Sequence, residues 1–475
     1  MKSHVNANIV MILSLFALIR NSVAQGSGKW AETDSLSYKR NIPSSVKMDD
    51  GRVLLSGGSY DGYKFHGIPE CELFDPLTNA WTEIRPMNVG RTSHVSILMN
   101  DGNVLVCGGY NSTDSPYHML NNCEVYSPAN GTWIEVDTMK VRRVEPEILK
   151  LHDGRILIIG GRTMFGTGST AEDGATEKCE LYDPAVGEWK LTASLSKPRT
   201  GHRATLLPNG KVLVTGGNYW GGPKEKSCEI FDPVSETWND ASSMNVGRIL
   251  HNAVLLNDNR VLVIGGNNQT CEVYNYLNNS WSFVSSTNIS RLVNSDAVKM
   301  NNGNIFITTL RDSICELYHV INDVWHYTNS LPFTQGFGSL TILDDGRILI
   351  AGGEINGKVS NRSFVFCPDS VTLVNDGETI NNFQLNQNYP NPFNPSTIIS
   401  FTIPDAMARQ NVSLKIYSIN GELIKTFFEK DLPAGNYVTR WEGTNENGLA
   451  VPSGVYLYKV SAGNKFVTGK MSLVK

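Results

Sequence analysis

Residues 199–248 read RTGHRATLLPNGKVLVTGGNYWGGPKEKSCEIFDPVSETWNDASSMNVGR. Four short apolar or alternating runs lie in this stretch, beginning near His202, Val212, Cys228 and Trp238. Glycine, proline, asparagine and aspartate bound the runs, and none of the runs has a helical period. The stretch therefore predicts four consecutive β-strands joined by tight turns.

The same unit recurs along most of the chain with nearly fixed internal spacing. A cysteine lies ten residues before a tryptophan at Cys71/Trp81, Cys123/Trp133, Cys179/Trp189, Cys228/Trp238, Cys271/Trp281 and Cys315/Trp325. An arginine lies ten residues after that tryptophan at Arg91, Arg143, Arg199, Arg248 and Arg291, and Gln335 takes the sixth place. A Gly-Gly pair ends the second strand of most units. A four-strand repeat with this glycine signature is typical of a β-propeller blade.

These features resemble the Kelch repeat, which combines a strand-ending Gly-Gly pair, an aromatic residue before Asp-Pro, and a tryptophan. The resemblance covers roughly residues 28–370 and implies a β-propeller. The sixth unit departs from the pattern, because Thr308-Thr309 replaces the glycine pair and the Asp-Pro turn is lost. Its Trp325 is retained, so we expect this unit to form a blade like the others.

The N-terminal segment supplies the strand that the last repeat lacks. Trp30 and Arg40 are ten residues apart, like the Trp–Arg interval that closes each repeat, but no first three strands precede them. Residues 338–366 contain three strands and a Gly-Gly pair without a tryptophan strand. We predict that the segment at Trp30 completes this last sheet, giving a seven-bladed propeller with paired edges.

Composition and charge limit the classes of function. The chain has 475 residues and a formal net charge of −5, with acidic and basic residues interspersed. Nucleic-acid binding needs a basic face, so no nucleic-acid partner is expected. No apolar run is long enough to span a bilayer, so the mature chain is expected to have no transmembrane span.

Residues 1–24 have the pattern of a secretory signal peptide. Lys2 supplies the positive end, residues 9–19 are apolar, and residues 22–24 are small, as signal peptidase requires. The alternatives are a disordered apolar leader and a buried first strand. We predict that the mature protein is secreted or held at the cell surface.

Eight cysteines in an exported chain raise the question of disulfides. Six of them occupy one place in successive repeats, and equivalent points on neighbouring blades should be too far apart for a bridge. Cys107 and Cys367 each stand alone in the pattern. We therefore expect buried thiols between blades. The absence of CxxC spacing argues against a structural metal.

The chain changes character after the repeats. Residues 371–387 are polar and rich in asparagine, which predicts a linker. Residues 388–475 contain short alternating strands broken by turns, which predicts an immunoglobulin-like β-sandwich. The predicted fold is therefore all-β, with a Kelch propeller at 25–370 followed by this sandwich.

Four segments of the sandwich resemble the C-terminal sorting domain of proteins exported by the type IX secretion system. They are NYPNPFNPST at 388–397, VSLKIYSINGELIKTF at 412–427, PSGVYLYKVSAG at 452–463 and KMSLVK at 470–475. The resemblance implies that secretion machinery is a partner and that the chain passes through the outer membrane. An ordinary accessory sandwich domain is the alternative.

The connection after each Gly-Gly pair is the part of the repeat that varies in length. It is long in the first four repeats and short in the fifth and sixth. Loops on a rigid scaffold concentrate binding residues, and aromatic side chains suit sugar rings or protein partners. The candidate ligand-binding residues here are Tyr63, His66, Tyr219 and Trp220. The open alternative is that several of these side chains fold back onto their own loops.

A second group of candidates begins the inner strands, near the channel that a propeller encloses. These candidates are Arg91, His94, Arg143, Glu145, Arg199, His202, Arg248 and His251. One hypothesis is that the arginines and the glutamate hold a polar ligand. A second hypothesis is that the three equivalent imidazoles bind a metal ion. Packing is the favoured alternative for the histidines, because an Arg-x-x-His step is common in Kelch repeats.

Galactose oxidase shares this propeller class and tests the enzyme hypothesis. Its copper site uses a Tyr-His pair at an inner strand and a second tyrosine crosslinked to cysteine, whereas Ser93, Gly201 and Leu250 precede the histidines here. We therefore expect no copper and no other cofactor. Non-catalytic binding of a glycan or protein is the preferred prediction. The alternatives are a carbohydrate-active oxidase or isomerase at the channel mouth and a purely structural envelope protein, so enzyme activity stays open.

Overall fold

The structure is a computed structural model and describes residues 28–61, 66–111, 119–165, 172–219, 221–266, 268–291, 295–308, 313–368, 372–374, 383–385, 387–388, 391–404, 410–432, 435–463 and 465–474. In those ranges the fold is all-β, as predicted, and no helix is long and apolar enough to cross a membrane. The predicted signal peptide lies outside them. The chain divides into two compact units, Met1–Cys367 and Pro368–Lys475.

Seven sheets in the described part of the first unit have four antiparallel strands each. From inner to outer strand, the first sheet has Ser44–Lys47, Val53–Ser56, Cys71–Asp75 and Ala80–Ile84. The second has Val95–Leu98, Val104–Cys107, Cys123–Ser127 and Thr132–Val136. The third has Glu147–Lys150, Ile156–Ile159, Cys179–Asp183 and Glu188–Leu191. The fourth has Arg203–Leu206, Val212–Thr215, Cys228–Asp232 and Thr237–Ala241.

The remaining three sheets follow the same order. The fifth has Asn252–Leu255, Val261–Ile264, Cys271–Asn275 and Ser280–Val284. The sixth has Asp296–Lys299, Ile305–Thr308, Cys315–His319 and Val324–Tyr327, so the degenerate repeat forms a sheet as predicted. The seventh has Ser339–Ile342, Ile348–Ala351, Ser363–Cys367 and, as its outer strand, Lys29–Glu32.

The repeated apolar residues explain how each sheet packs. The second strands, such as Val104–Cys107, are buried along their whole length in every sheet but the sixth, because neighbouring sheets cover both of their faces. The repeat tryptophan packs against its cross-strand aromatic partner, and the ring centroids of Tyr126 and Trp133 are 5.1 Å apart. The indole N–H of Trp133 donates to the carbonyl of Arg85 in the previous repeat, at 2.8 Å. The indoles of Trp238, Trp281 and Trp325 donate to the previous repeat in the same way, so these tryptophans tie one sheet to the next.

The inner strands of successive sheets contact one another, and the inner strand of the seventh contacts that of the first. The N-terminal strand completes the seventh sheet, with Trp30 opposite Phe366 in an antiparallel register. The two rings are 5.2 Å apart, and the Trp30 indole donates to the carbonyl of Asn329 at 2.9 Å. The predicted pairing of the N-terminal strand with the last repeat is confirmed.

Short additional strands lie outside the four-stranded sheets of the first unit. Two of them, Arg162–Phe165 and Glu172–Ala175, pair in the long connection of the third repeat. Three more form a small sheet beside the seventh repeat: Gln335–Gly336, Glu354–Ile355 and Lys358–Val359. The connections after the glycine pairs therefore carry structure of their own.

The second unit has two four-stranded antiparallel sheets around one apolar core. One sheet orders Thr372–Val374, Gly435–Trp441, Thr397–Ile403 and Gln384–Leu385. The other orders Leu423–Leu432, Gln410–Ser418, Gly454–Ala462 and Lys465–Leu473. Trp441 and Tyr458 are fully buried between them. This arrangement agrees with the predicted sandwich, and two of its short strands fall within the segment that was expected to be a linker.

The repeat cysteines are buried thiols, as the spacing predicts. Cys107, which stands alone in the repeat pattern, lies directly opposite Cys123 in the second sheet. The spacing argument compares equivalent positions in different repeats. It does not show which residues lie opposite each other on adjacent strands of one repeat.

Candidate functional site

The repeat arginines lie inside the first unit, where a ligand has no access to them. Arg91, Arg143, Arg199 and Arg248 are all 0% exposed. The guanidinium of Arg143 donates to the carbonyls of Gly160 and Lys178, both at 2.9 Å, and to the carboxylate of Glu180 at 2.6 Å. This pattern assigns the four candidates to holding neighbouring sheets together.

The acidic partners form a series that the sequence reasoning missed. The six buried ion pairs are Arg40–Glu72, Arg91–Glu124, Arg143–Glu180, Arg199–Glu229, Arg248–Glu272 and Arg291–Glu316. Each pair joins the end of one repeat to the third strand of the next. The glutamates also accept backbone N–H groups, as Glu180 does from Lys140 at 2.6 Å and from Val141 at 3.1 Å. Buried charges are tolerated in proteins when they are paired and hydrogen-bonded in this way.

The three candidate histidines pack beneath the glycine pairs. The Nε2 atom of His94 is 2.9 Å from the Ser56 hydroxyl, and that of His251 is 2.8 Å from the Thr215 hydroxyl. A Cβ added at Gly57 would lie 2.7 Å from the His94 ring, so the glycine is required by this close approach. The favoured packing interpretation agrees with these contacts.

The charge state of the histidines also follows from burial. Burial, followed by the Arg199 and Arg203 guanidiniums, lowers the pKa of His202 to about 3. Burial likewise lowers the pKa of His94 and of His251 well below the usual value. The three rings are therefore neutral at physiological pH and packed in separate sheets.

A ring of strained backbone surrounds the inner strands at one face. Six residues, each two positions after the repeat arginine or its counterpart, have φ between 49° and 61°: Ile42, Ser93, Glu145, Gly201, Leu250 and Phe337. The amide of Glu145 donates to the carbonyl of Ser93 at 3.1 Å, and the amide of Leu250 to that of Gly201 at 2.7 Å. Non-glycine residues with positive φ are uncommon and often mark functional sites.

A cavity of about 420 Å³ opens within this ring. Glu145 lines it as predicted and is exposed, and His94 also lines it. Arg203 and Asp296 contribute charges that the sequence reasoning did not select. Phe337 and Leu250 contribute apolar surface. The cavity thus combines a few polar groups with apolar walls, as ligand sites do.

The charges in and beside the cavity centre on Arg203. Its Nη1 atom is 3.0 Å from Glu147 Oε1, and the other carboxylate oxygen of Glu147 accepts the Ala204 amide at 3.2 Å. Asp296 begins the inner strand of the sixth sheet, and the described residues offer its carboxylate no ion pair. Burial raises the pKa of Asp296 to about 6, and the charge of Arg203 partly offsets that rise.

The long connections begin at the rim of the cavity. Val144 forms a β-bridge with Arg162, and Thr200 forms one with Asn218, so the residue before the strained position pairs with the residue after the glycine pair. His66 lies in the first connection, where its Nδ1 is 2.7 Å from Asp61 and its ring stacks on the exposed Tyr60. The bridges therefore place the beginnings of the third and fourth long connections beside the starts of the inner strands.

The other loop candidates have different outcomes. Tyr219 is 47% exposed in the connection of the fourth repeat. Tyr63 and Trp220 lie outside the described residues. Tyr110, in the second connection, is buried against Met119 and Val144. Tyr219 is thus exposed, whereas Tyr110, which is not one of the candidates, is buried.

Replacement of Asp296 by asparagine should raise the free energy of unfolding at pH 7. A carboxylate with a raised folded-state pKa costs stability when it is ionised, by up to about 3 kcal/mol for a shift to about 6. Wild-type stability should therefore fall as the pH rises from about 4 to about 6, and the variant should lack that fall. Urea midpoints across this range measure both. A variant that is less stable than wild type at pH 7 would contradict the assigned burial cost.

Two protein families match parts of the chain. The Kelch motif matches residues 91–140 and 199–245, and the FlgD Ig-like domain matches residues 391–465. Kelch-like protein 26 of Danio rerio is 29% identical over 175 residues, which are 36% of this chain and 26% of that protein. Kelch-like protein 36 of Rattus norvegicus is 28% identical over 212 residues, which are 43% of this chain and 33% of that protein. The chain thus spans about a third or less of the length of these relatives.

A solved structure is similar over most of the chain. It is described as a novel fungal alcohol oxidase with catalytic diversity among the AA5 family, in complex with copper. The TM-score is 0.59 at 16% identity, with 95% of this chain and 100% of the other chain covered. At this identity the likeness concerns the fold alone. Together, the motif matches, the Kelch-like relatives and the sheet order support a Kelch-type β-propeller followed by an immunoglobulin-like domain.

Proposed function

We propose that this chain is an exported seven-bladed propeller that binds a glycan at the cavity inside the strained ring. The observation that carries the proposal is that Arg203 and Asp296 both line a cavity with apolar walls, where Arg203 also pairs with Glu147 beside the cavity. A guanidinium donates to sugar oxygens, and carboxylates accept from sugar hydroxyls. Phe337 and Leu250 offer apolar surface to the C–H face of a sugar ring.

The stability cost assigned to Asp296 supports a functional role for that residue. A carboxylate kept in a recess without an ion pair among the described residues raises the cost of folding, and such costs concentrate at binding and catalytic sites. The exposed Tyr60 and Tyr219 stand in the loops at the rim and extend the surface available to a longer glycan. A protein ligand on the same loops is the competing occupant.

Export rests on the leader pattern at 1–24 and on the resemblance of 388–475 to a sorting domain. An Ig-like family match at residues 391–465 is compatible with such a domain. Deletion of residues 388–475 in the native host should leave the propeller in the periplasm. Unchanged surface delivery, measured by fractionation and immunoblotting, would overturn the sorting role.

Copper chemistry does not fit the residues of this chain. The rings of His94 and His251 are hydrogen-bonded to hydroxyls under the glycine pairs, and no tyrosine precedes them. Among the described residues, no group of three or more histidine, cysteine, aspartate or glutamate side chains could hold a metal ion. We therefore propose no copper-dependent reaction for this chain. Turnover of a sugar that binds would be tested in a separate experiment.

A glycan array probed with the full-length protein tests the proposal. Saturable binding by the wild type should be lost in Arg203→Gln and kept in Arg260→Gln. Arg260 pairs with Asp258 in a turn between the first two strands of the fifth sheet, and it is a matched arginine outside the cavity. If the wild type showed no saturable glycan binding, the proposal of a glycan ligand would be overturned and a protein ligand would be favoured.

A further inference from the structure

The second sheet brings two cysteines of one repeat together. Cys107 ends the second strand, Cys123 begins the third, and the two are direct partners in the antiparallel register. The amide of Gly108 donates to the carbonyl of Asn122 at 3.3 Å, so the hydrogen bonds flank the cysteine pair and do not join it. Partners of this non-hydrogen-bonded kind have Cα atoms about 4.5 Å apart and side chains on the same face.

That geometry lies within the range that a disulfide accepts. Bridged cysteines have Cα atoms about 4.4–6.8 Å apart, and the non-hydrogen-bonded separation falls inside this range. The thiol of Cys123 is close enough to raise the pKa of Cys107. Both side chains are 0% exposed and lie in one apolar cluster.

The other repeats lack the second cysteine. In the same register, Cys71 faces Ser56, Cys179 faces Ile159, Cys228 faces Thr215, Cys271 faces Ile264 and Cys315 faces Thr308. Ser56 and Thr215 bind a histidine of the next repeat, and Pro146 takes that histidine's place beyond Cys107. Cys107 therefore lacks the histidine contact that Ser56 and Thr215 make.

We propose that Cys107 and Cys123 form a cross-strand disulfide when the chain folds under oxidising conditions. A protein or small-molecule disulfide is the oxidant. The thiolate of one cysteine attacks this disulfide and releases one thiolate, and the second cysteine attacks the mixed disulfide and releases the other. Two cysteine thiols thus lose two electrons and two protons, and the oxidant becomes two thiols.

The bridge has to form before the sheets close over it. Burial and the neighbouring thiol raise the pKa of Cys107 well above its usual range, so the folded protein holds little thiolate there. The bridge closes the segment from Cys107 to Cys123, whose ends also pair at Tyr110 and Met119. It would therefore fix the base of the second long connection, beside the cavity. Its presence in the cell depends on the proposed export, whereas the test below does not.

Oxidative refolding of the full-length chain tests the bridge. The reduced, unfolded protein is refolded with glutathione disulfide, denatured without reductant, and titrated for thiols. Six of the eight thiols should react, and reduction should restore all eight. Trypsin leaves both cysteines in one peptide, because no lysine or arginine lies between Arg91 and Lys140, so chymotrypsin at the intervening tyrosines is used to map the link.

Two variants control the assignment. Cys107→Ser should retain seven free thiols after the same treatment, whereas Cys71→Ser should form the bridge and retain five. Oxidised wild type should also unfold at a higher urea concentration than reduced wild type. Eight free thiols in refolded wild type, or a bridge that joins any other pair, would overturn the proposal even if a variant failed to fold.

Discussion

Arg143→Met should lower the free energy of unfolding by roughly 3–5 kcal/mol, because Glu180 would be left as an unpaired charge at 0% exposure. The carbonyls of Gly160 and Lys178 would also lose their charged donor. These groups belong to two consecutive repeats, so the variant weakens an interface and leaves the strands of each sheet intact. Urea unfolding followed by tryptophan fluorescence measures the change.

Two further variants separate the buried charge from the loss of an arginine. Arg52 pairs with Asp50 in an exposed turn, and Arg52→Met should cost at most about 1 kcal/mol. Replacing both members of the buried pair, as Arg143→Met with Glu180→Leu, should recover part of the loss, since no charge is then left alone. Equal effects of Arg143→Met and Arg52→Met would contradict the structural role of the six pairs.

Removal of residues 28–34 should prevent formation of a stable first unit. The strand Lys29–Glu32 is the outer strand of the seventh sheet, and without it the strand Ser363–Cys367 becomes an open edge. The deletion also removes the ring contacts of Trp30 with Phe306 and Phe366. The expected result is aggregation and loss of the cooperative unfolding transition, measured by size-exclusion chromatography and urea unfolding.

Point variants of the same strand give a graded version. Trp30→Ala should cost at least about 2 kcal/mol, somewhat less than the ~3–5 kcal/mol of a fully buried tryptophan, because Trp30 is half-buried. Glu32 lies on the same strand as Trp30 and makes an exposed ion pair with Arg362. Glu32→Ala removes this ion pair and should cost at most about 1 kcal/mol. If the truncated chain kept wild-type stability, the strand Lys29–Glu32 would not be needed to complete the seventh sheet, and the prediction would be contradicted.

The repeat pattern predicted strands and packing because those features recur. Spacing placed the cysteines, the tryptophans and the closing N-terminal strand, and the degenerate sixth unit still formed a sheet around Trp325. The acidic partners of the arginines had a visible signal that was not used, since a glutamate follows the repeat cysteine every time, as at Cys71-Glu72 and Cys179-Glu180. An acid repeated inside an otherwise apolar strand requires a buried cation.

The cavity could not be predicted from the repeat, because it is made of departures from the repeat. The first position of the inner strand is Ser44, Val95, Glu147, Arg203, Asn252, Asp296 and Ser339 in successive sheets. No spacing marks the three charged residues of this series. Their proximity follows from the ring that the inner strands make, as the Cys107–Cys123 pair follows from strand register.

The decisive measurement is the affinity for a glycan selected on the array, obtained by isothermal titration calorimetry on three proteins. Wild type and Arg260→Gln should bind with the same affinity, whereas Arg203→Gln should bind at least about tenfold more weakly, the loss of one charged hydrogen bond. All three should show cooperative urea unfolding, so that a binding defect is not a folding defect. Equal affinities of Arg203→Gln and wild type would contradict a binding site in the cavity.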